Sequence, residues 1–235
     1  QMIDDIYKLF GFKYHVELST KPEKAMGELA IWDKATDALR DAMTEMGMPF
    51  TINEGDGAFY GPKLDFHLED SIGRTWQCGT IQLDFQMPEK FDMTYVGADN
   101  QPHRPVMIHR VIFGSIERFI GILTEHYAGA FPLWLAPLQI KVLNITDNQQ
   151  DYCRELLQKF AKAGLRAELD DRNEKIGYKI RAAQGEKVPY MLVIGDKEME
   201  SGQVAVRKRG EGDIGSRSLE QFISDLQKEV ADKVQ

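Results

Sequence analysis

Arg118 stands where a cation is least expected. It falls in the stretch PVMIHRVIFGSIERFIGIL, residues 105–123. The apolar run 106–111 predicts a buried strand, and Gly114-Ser115 predicts the start of a helix. Ser115 is placed to cap that helix, and Glu117 lies where the helix dipole favours an acid. Arg118, in the first turn, faces the positive end of the same dipole. A guanidinium beside free backbone N–H groups is favourable when an anion such as phosphate sits on both. Taken alone, Arg118 fits better as a surface residue with its stem along the protein and its head solvated.

Other side chains could serve such a site. Tyr60 and Lys63 lie in FYGPK, whose Gly61-Pro62 is a turn dipeptide, so Tyr60 also fits a packing residue. Gln77, Thr80 and Gln82 lie in WQCGTIQ, which alone reads as the polar side of a strand. Gln77 and Gln82 are five residues apart, so strict alternation puts them on opposite faces; a bulge at Gly79 would bring both to one site. Cys78 has no evident base nearby and reads as a buried filler. His109, on the strand before Arg118, fits a metal ligand or a hydrogen-bonded histidine of the strand. Further along, Arg172, Asn173, Lys175, Lys179, Arg181, Lys187, Arg207, Lys208 and Arg209 form two cationic and polar clusters. A solvated face is the default for such residues, and Asn173 also suits a helix cap.

The elements that must position these residues change character near FPLWLAPLQI, residues 131–140, where Pro132 and Pro137 stop the preceding helix. This predicts domains at 1–135 and 136–235. Before the boundary, FTINEG, KLDFHLED and RTWQCGTIQLDF suit strands of a half-exposed antiparallel sheet. In KLDFHLED, Leu64, Phe66 and Leu68 face one side; Lys63, Asp65 and His67 face the other. IWDKATDALRDAMTEMG predicts an amphipathic helix stopped by Gly47 and Pro49. After the boundary, strands and helices alternate, which implies parallel pairing in a layered α/β domain. Ser218 and Gln221 have capping-box spacing ahead of the last helix.

Hydrophobic content of 43% and charged content of 28% are ordinary for a globular protein. No apolar run is long enough to cross a membrane, and no signal peptide opens the chain. Two cysteines, Cys78 and Cys153, make no disulfide framework and suit a reducing cytoplasm. The net charge is −8, and the excess acid lies wholly in residues 1–135. Any nucleic acid would therefore meet a local basic patch and not a global field.

Gly-Ser-Ile-Glu-Arg after an apolar strand resembles motif 3 of the class II aminoacyl-tRNA synthetases. AFYGPKLDF (58–66), WQCGTIQLDF (76–85), VMIHR (106–110) and DRNEKIGYKIR (171–181) narrow the resemblance to the bacterial threonyl-tRNA synthetases, over nearly all 235 residues. The resemblance implies the C-terminal part of a class II catalytic domain followed by a mixed-sheet α/β anticodon-binding domain. The implied activity is that of a threonine–tRNA ligase: ATP-dependent activation of L-threonine, then transfer to the 3′ end of tRNA(Thr). It implies ATP, magnesium and zinc as cofactors, and a cytoplasmic homodimer. By the same resemblance Arg118 lies against the ATP phosphates and adenine, Tyr60 reaches the substrate amino group, and Lys63 lies near the site. Gln77, Thr80 and Gln82 line the ATP and adenylate pocket. His109 becomes one of three zinc ligands; Cys78 and His67 are not equivalents of the other two, and one ligand cannot hold zinc tightly. Asn173, Glu198 and Arg207 match positions that read anticodon bases, with Lys187 standing where an arginine is expected. QMIDDIYKLF begins in mid-helix without a cap, and motifs 1 and 2 are not found. The chain is thus expected to be a piece of the enzyme, inactive alone. A non-catalytic RNA-binding fragment and a prolyl enzyme are the alternatives.

Overall fold

A computed structural model describes all 235 residues, Gln1–Gln235, as two compact units, 1–126 and 127–235. No helix is long and apolar enough to cross a membrane.

The first unit opens with α1 (Met2–Leu9), β1 (Tyr14–Ser19), α2 (Leu29–Glu45) and β2 (Thr51–Asn53). Then come β3 (Lys63–Glu69), β4 (Thr75–Asp84) and the short α3 (Gln86–Lys90). A two-stranded ribbon, β5 (Tyr95–Val96) and β6 (Pro102–His103), precedes β7 (Met107–Val111) and α4 (Ile116–His126). The main sheet runs β2-β1-β3-β4-β7. It is antiparallel except that β2 pairs β1 in parallel, joined by α2 as a crossover. β1 is a strand additional to those expected: Val16 and Leu18 alternate with polar residues in YHVELS. Those two pack on the core side with Leu64, Phe66 and Leu68 of β3. Alternation then turns His15, Glu17, Ser19, Lys63, Asp65 and His67 to the other face.

The second unit contains β8 (Ile140–Asn144), α5 (Gln150–Lys162), β9 (Ala167–Asp170), α6 (Ile176–Gly185) and β10 (Tyr190–Ile194). It ends with α7 (Asp196–Ser201), β11 (Gln203–Lys208), β12 (Gly212–Ser218) and α8 (Leu219–Ala231). The sheet order is β12-β11-β10-β8-β9. β9, β8 and β10 are parallel, as the alternating pattern predicts, while β11 and β12 add an antiparallel hairpin. One face packs on α5 and α8 through Leu156, Phe160, Phe222 and Leu226; the other meets α6 through Ala183. Ser218 caps α8, accepting from Gln221 N at 3.2 Å.

The expected boundary at 135/136 lies inside the second unit. Arg209 Nη2 donates to the carbonyls of Ala130 and Phe131, and Gln139 Nε2 to that of Leu133. The Arg209 bonds tie Ala130 and Phe131 to a residue far along the second unit, and the Gln139 bond closes the segment on itself. Lys179 departs further from expectation. It is not on a solvated face but is 1% exposed, and its ammonium donates to Asn144 O, Asn144 Oδ1 and Asp170 O at 2.9–3.1 Å.

Candidate active site and nucleic-acid interface

Register builds the first site. Ser19 lies opposite Lys63, Lys63 opposite Gln82, and Gln82 opposite His109. Directly opposed residues share a face, so these four make one row across β1, β3, β4 and β7. Glu17, Asp65 and Thr80 form the next row, and His15, His67 and Gln77 the third. Gln77 joins this face because the β3–β4 register shifts between Phe66 and His67: Phe66 faces Gly79 and His67 faces Gln77, leaving Cys78 as the extra residue. The bulge that the two glutamines required therefore exists, one residue before Gly79.

Asp65 holds the rows together. It is 1% exposed and accepts from Ser19 Oγ at 2.8 Å, Lys63 Nζ at 2.6 Å, Gln77 Nε2 at 2.5 Å and Thr80 Oγ1 at 3.2 Å. Burial pulls the Lys63 ammonium pKa down, but the carboxylates of Asp65 and Asp56 outweigh it, and the net shift is upward. Lys63 is thus a fixed positive charge. At the other end, Tyr60 OH donates to Gln82 Oε1, and its ring meets the His109 ring edge-on at 5.9 Å. Burial, then the Asp84 charge, raises the Tyr60 pKa, so the phenol stays protonated. Gly61 is pressed on β4 so closely that a Cβ there would lie 1.7 Å from Leu83 O; no other residue fits, and Tyr60 and Lys63 are anchored on either side of it.

His109 Nε2–H donates to Asp84 Oδ2 at 2.9 Å; Asp84 is itself buried and fixed by the backbone N–H groups of Gln86 and Met87. A carboxylate behind an imidazole orients ligating histidines and leaves the other ring nitrogen for a metal. The pair fits one corner of a zinc site, but no cysteine or second histidine of this chain joins it.

Arg118 is not hydrogen-bonded to these residues. Gly114 takes φ +64° with its α-carbon packed on the Cys78 backbone, and α4 starts after it. Ser115 Oγ accepts from Arg118 N at 3.4 Å. Backbone and Ser115 hydrogen bonds hold the Glu117 carboxyl below its ordinary range. The exposed Arg118 guanidinium lies 5.6 Å from the centre of the Trp76 ring. Arg74 lies over the same indole at 5.3 Å but is engaged by Asp70, whereas Arg118 has no ion pair. It is the cation left free for an anion. Cys78 is no nucleophile: burial pushes its thiol pKa up against the pull of Arg118.

In the second unit, Asn173 does not cap a helix. α6 starts three residues later, with Lys175 at its N-cap, and the exposed Asn173 amide has no hydrogen-bond partner. Glu198 sits in the first turn of α7 and accepts from Gly195 N at 3.0 Å. Arg207 lies in a recess with Gln184 and Met191, on the α6 side of the sheet. Its Nε is buried without a partner, and Nη1 lies 3.6 Å from Asp213. Asn173 and Glu198 follow the C-terminal ends of parallel strands. Arg207 pairs with Met191, four residues before Gly195, hence about 13 Å along the sheet from that edge. Lys187 takes φ +57° and donates to Ala128 O. Arg209, expected on a solvated face, is engaged by three carbonyls.

Residues 1–127 match the family model "tRNA synthetase class II core domain (G, H, P, S and T)", and residues 135–229 match "Anticodon binding domain". The chain belongs to the class II tRNA synthetases. Within that family it is 63% identical to the threonine–tRNA ligase of Carboxydothermus hydrogenoformans and 66% identical to that of Syntrophomonas wolfei, over 99% of this chain in each case. It spans 37% of the length of each of these curated relatives. Its fold is similar to that of the RNA-binding domain of threonyl-tRNA synthetase from Cryptosporidium parvum, with a TM-score of 0.91 and 37% identity. That match covers 97% of this chain and 57% of the other. The class II core and anticodon-binding domains occur here in the order the motifs predicted.

Sequence reasoning placed Asp65 on the polar face but missed its central part. The signal available was local: Asp65 alternates with apolar Leu64 and Phe66 and shares its face with Lys63 two residues earlier. We expect Asp65→Asn to cost the first unit about 1–3 kcal/mol, because it places an amide among donors that need an acceptor. Urea unfolding of the two proteins checks this; an unchanged midpoint would show that Ser19, Gln77 and Thr80 find other partners.

Proposed function

We propose that this chain carries part of the active site and the anticodon-reading domain of a threonine–tRNA ligase. The observation that carries the reading is the single polar face on which Tyr60, Lys63, Gln77, Thr80, Gln82 and His109 converge, in a class II core joined to an anticodon-binding domain. On that face the protonated Tyr60 phenol orients Gln82 and a substrate amine. Lys63 and Asp65 fix the floor. Gln77 and Thr80 offer an amide and a hydroxyl to ATP and the adenylate. Arg118 lies against ATP with a guanidinium unclaimed by any carboxylate, where preorganised charge stabilises a reacting phosphate. Magnesium would accompany the ATP. Zinc, held in part by His109, would supply a Lewis acid that takes the threonine hydroxyl and so rejects valine. A homodimer and a cytoplasmic location belong to the same reading.

For tRNA, the reading assigns Asn173, Glu198 and Arg207 to anticodon bases and gives Lys187 a supporting place. The unpartnered Asn173 amide and the partly unsatisfied Arg207 guanidinium support it, since base edges take two hydrogen bonds from such groups. Arg207→Ala is expected to weaken cognate tRNA binding by about 1–3 kcal/mol and to relax preference at one anticodon position. Titration with cognate and anticodon-swapped tRNA at two salt concentrations tests this. Equal loss for both would make Arg207 a phosphate contact.

A further inference from the structure

We propose that His15, Glu17 and His67 form a metal site of their own on the polar face of the first unit, taking one divalent transition ion such as Zn²⁺, Co²⁺ or Ni²⁺. His15 and His67 lie directly opposite each other on β1 and β3, and their rings stack at 4.9 Å with an interplanar angle of 7°. Glu17 follows on the same face of β1. Its carboxylate oxygens lie 3.5 Å from His15 Nε2 and 3.6 Å from His67 Nε2. Both distances are too long for hydrogen bonds. His67 Nε2 is buried without a hydrogen-bond partner. A buried ring nitrogen facing a carboxylate without bonding it is a cost unless something occupies the space between them.

One ligand atom from each of the three residues lies within 4.8 Å of the others. Bonds of 2.0–2.2 Å to a tetrahedral ion bring such atoms to about 3.4 Å, which small side-chain rotations supply. Asn53 Nδ2 donates to Glu17 Oε2 at 2.8 Å and orients the carboxylate from outside, as partners of metal ligands do. Two imidazoles and one carboxylate select a borderline ion; calcium and magnesium require oxygen ligands. His15 is exposed, so the fourth position opens to water. The site is separate from His109, which lies two strands and two rows away, about 16 Å by strand and residue spacing.

The test is titration of the metal-stripped 235-residue chain with Zn²⁺ by calorimetry and with Co²⁺ by visible absorption. One equivalent of Zn²⁺ is expected, with intense visible bands from four- or five-coordinate Co²⁺. Of the five histidine imidazoles, those of His15 and His67 should shift in nitrogen-detected NMR on adding Zn²⁺. His15→Gln and His67→Gln should each weaken binding by about 100-fold or more, and His109→Gln should not. Absence of binding, or NMR shifts at other histidines, overturns the proposal. So does binding lost with His109→Gln and kept with His67→Gln. The NMR measurement uses the unmutated chain and decides the matter even if a variant fails to fold.

Discussion

Arg118→Ala, made in a protein of the relatives' full length carrying this sequence, is expected to lower kcat/KM for threonine-dependent ATP–pyrophosphate exchange by about two to three orders of magnitude. The loss corresponds to about 3–4 kcal/mol of transition-state stabilisation. Arg118 is held over Trp76 without an ion pair, so no carboxylate must release it when substrate binds. Its place is fixed by the Gly114 backbone packed on β4 and by the Ser115 cap, both of which survive truncation of the side chain. The variant should therefore fold normally and lose chemistry alone. Arg74→Ala, which removes the other guanidinium over the same indole, should affect exchange far less. An Arg118→Ala protein with wild-type kcat/KM would remove the phosphate role assigned to this residue.

Lys179→Ala should destabilise the second unit by about 3–5 kcal/mol, a large share of what a domain of this size possesses. The ammonium ties the ends of β8 and β9 to α6 through three bonds inside the protein. Alanine strands three acceptors away from water and leaves the volume of the stem empty. Lys179→Met refills the volume but not the bonds, and should recover only part of the loss. Urea unfolding of the three proteins separates the two contributions. A Lys179→Met protein as stable as the parent would mean that packing, and not the buried ammonium, holds these elements.

The same residue marks where the sequence stops being informative. Lys179 has the spacing of a solvated helix face; its burial follows only from α6 lying across the ends of two strands whose pairing is set elsewhere in the chain. Asp65 is similar. Alternation reveals that it shares a face with Lys63, but its acceptor role depends on Ser19, 46 residues earlier, and on β1. By contrast, the strand-to-helix turn at Gly114-Ser115, the rigid FYGPK loop and the capped start of α8 are local, and were legible. The alternative of a helix cap at Asn173 fails because the backbone delays the helix to Ile176, which local sequence does not show. β12 is glycine-rich, and its pairing with β11, not its own pattern, makes it a strand; β2 was legible in FTINEG as a strand, but its pairing with β1 is parallel and not antiparallel.

Cys78 contributes no charge, no nucleophile and no hydrogen bond to the site, yet the site depends on its being there. As the unpaired residue of the β4 bulge it changes the parity of the strand: Gln77 counts in one frame, Thr80 and Gln82 in the other. Substituting another small side chain preserves that count. Removing the position would not, because everything from Thr75 to Gln77 would be read on the opposite face of the sheet. The geometry around Asp65 is thus tolerant of a change in chemistry at Cys78 and intolerant of a change in length, so that here a residue's number in the chain matters more than its identity.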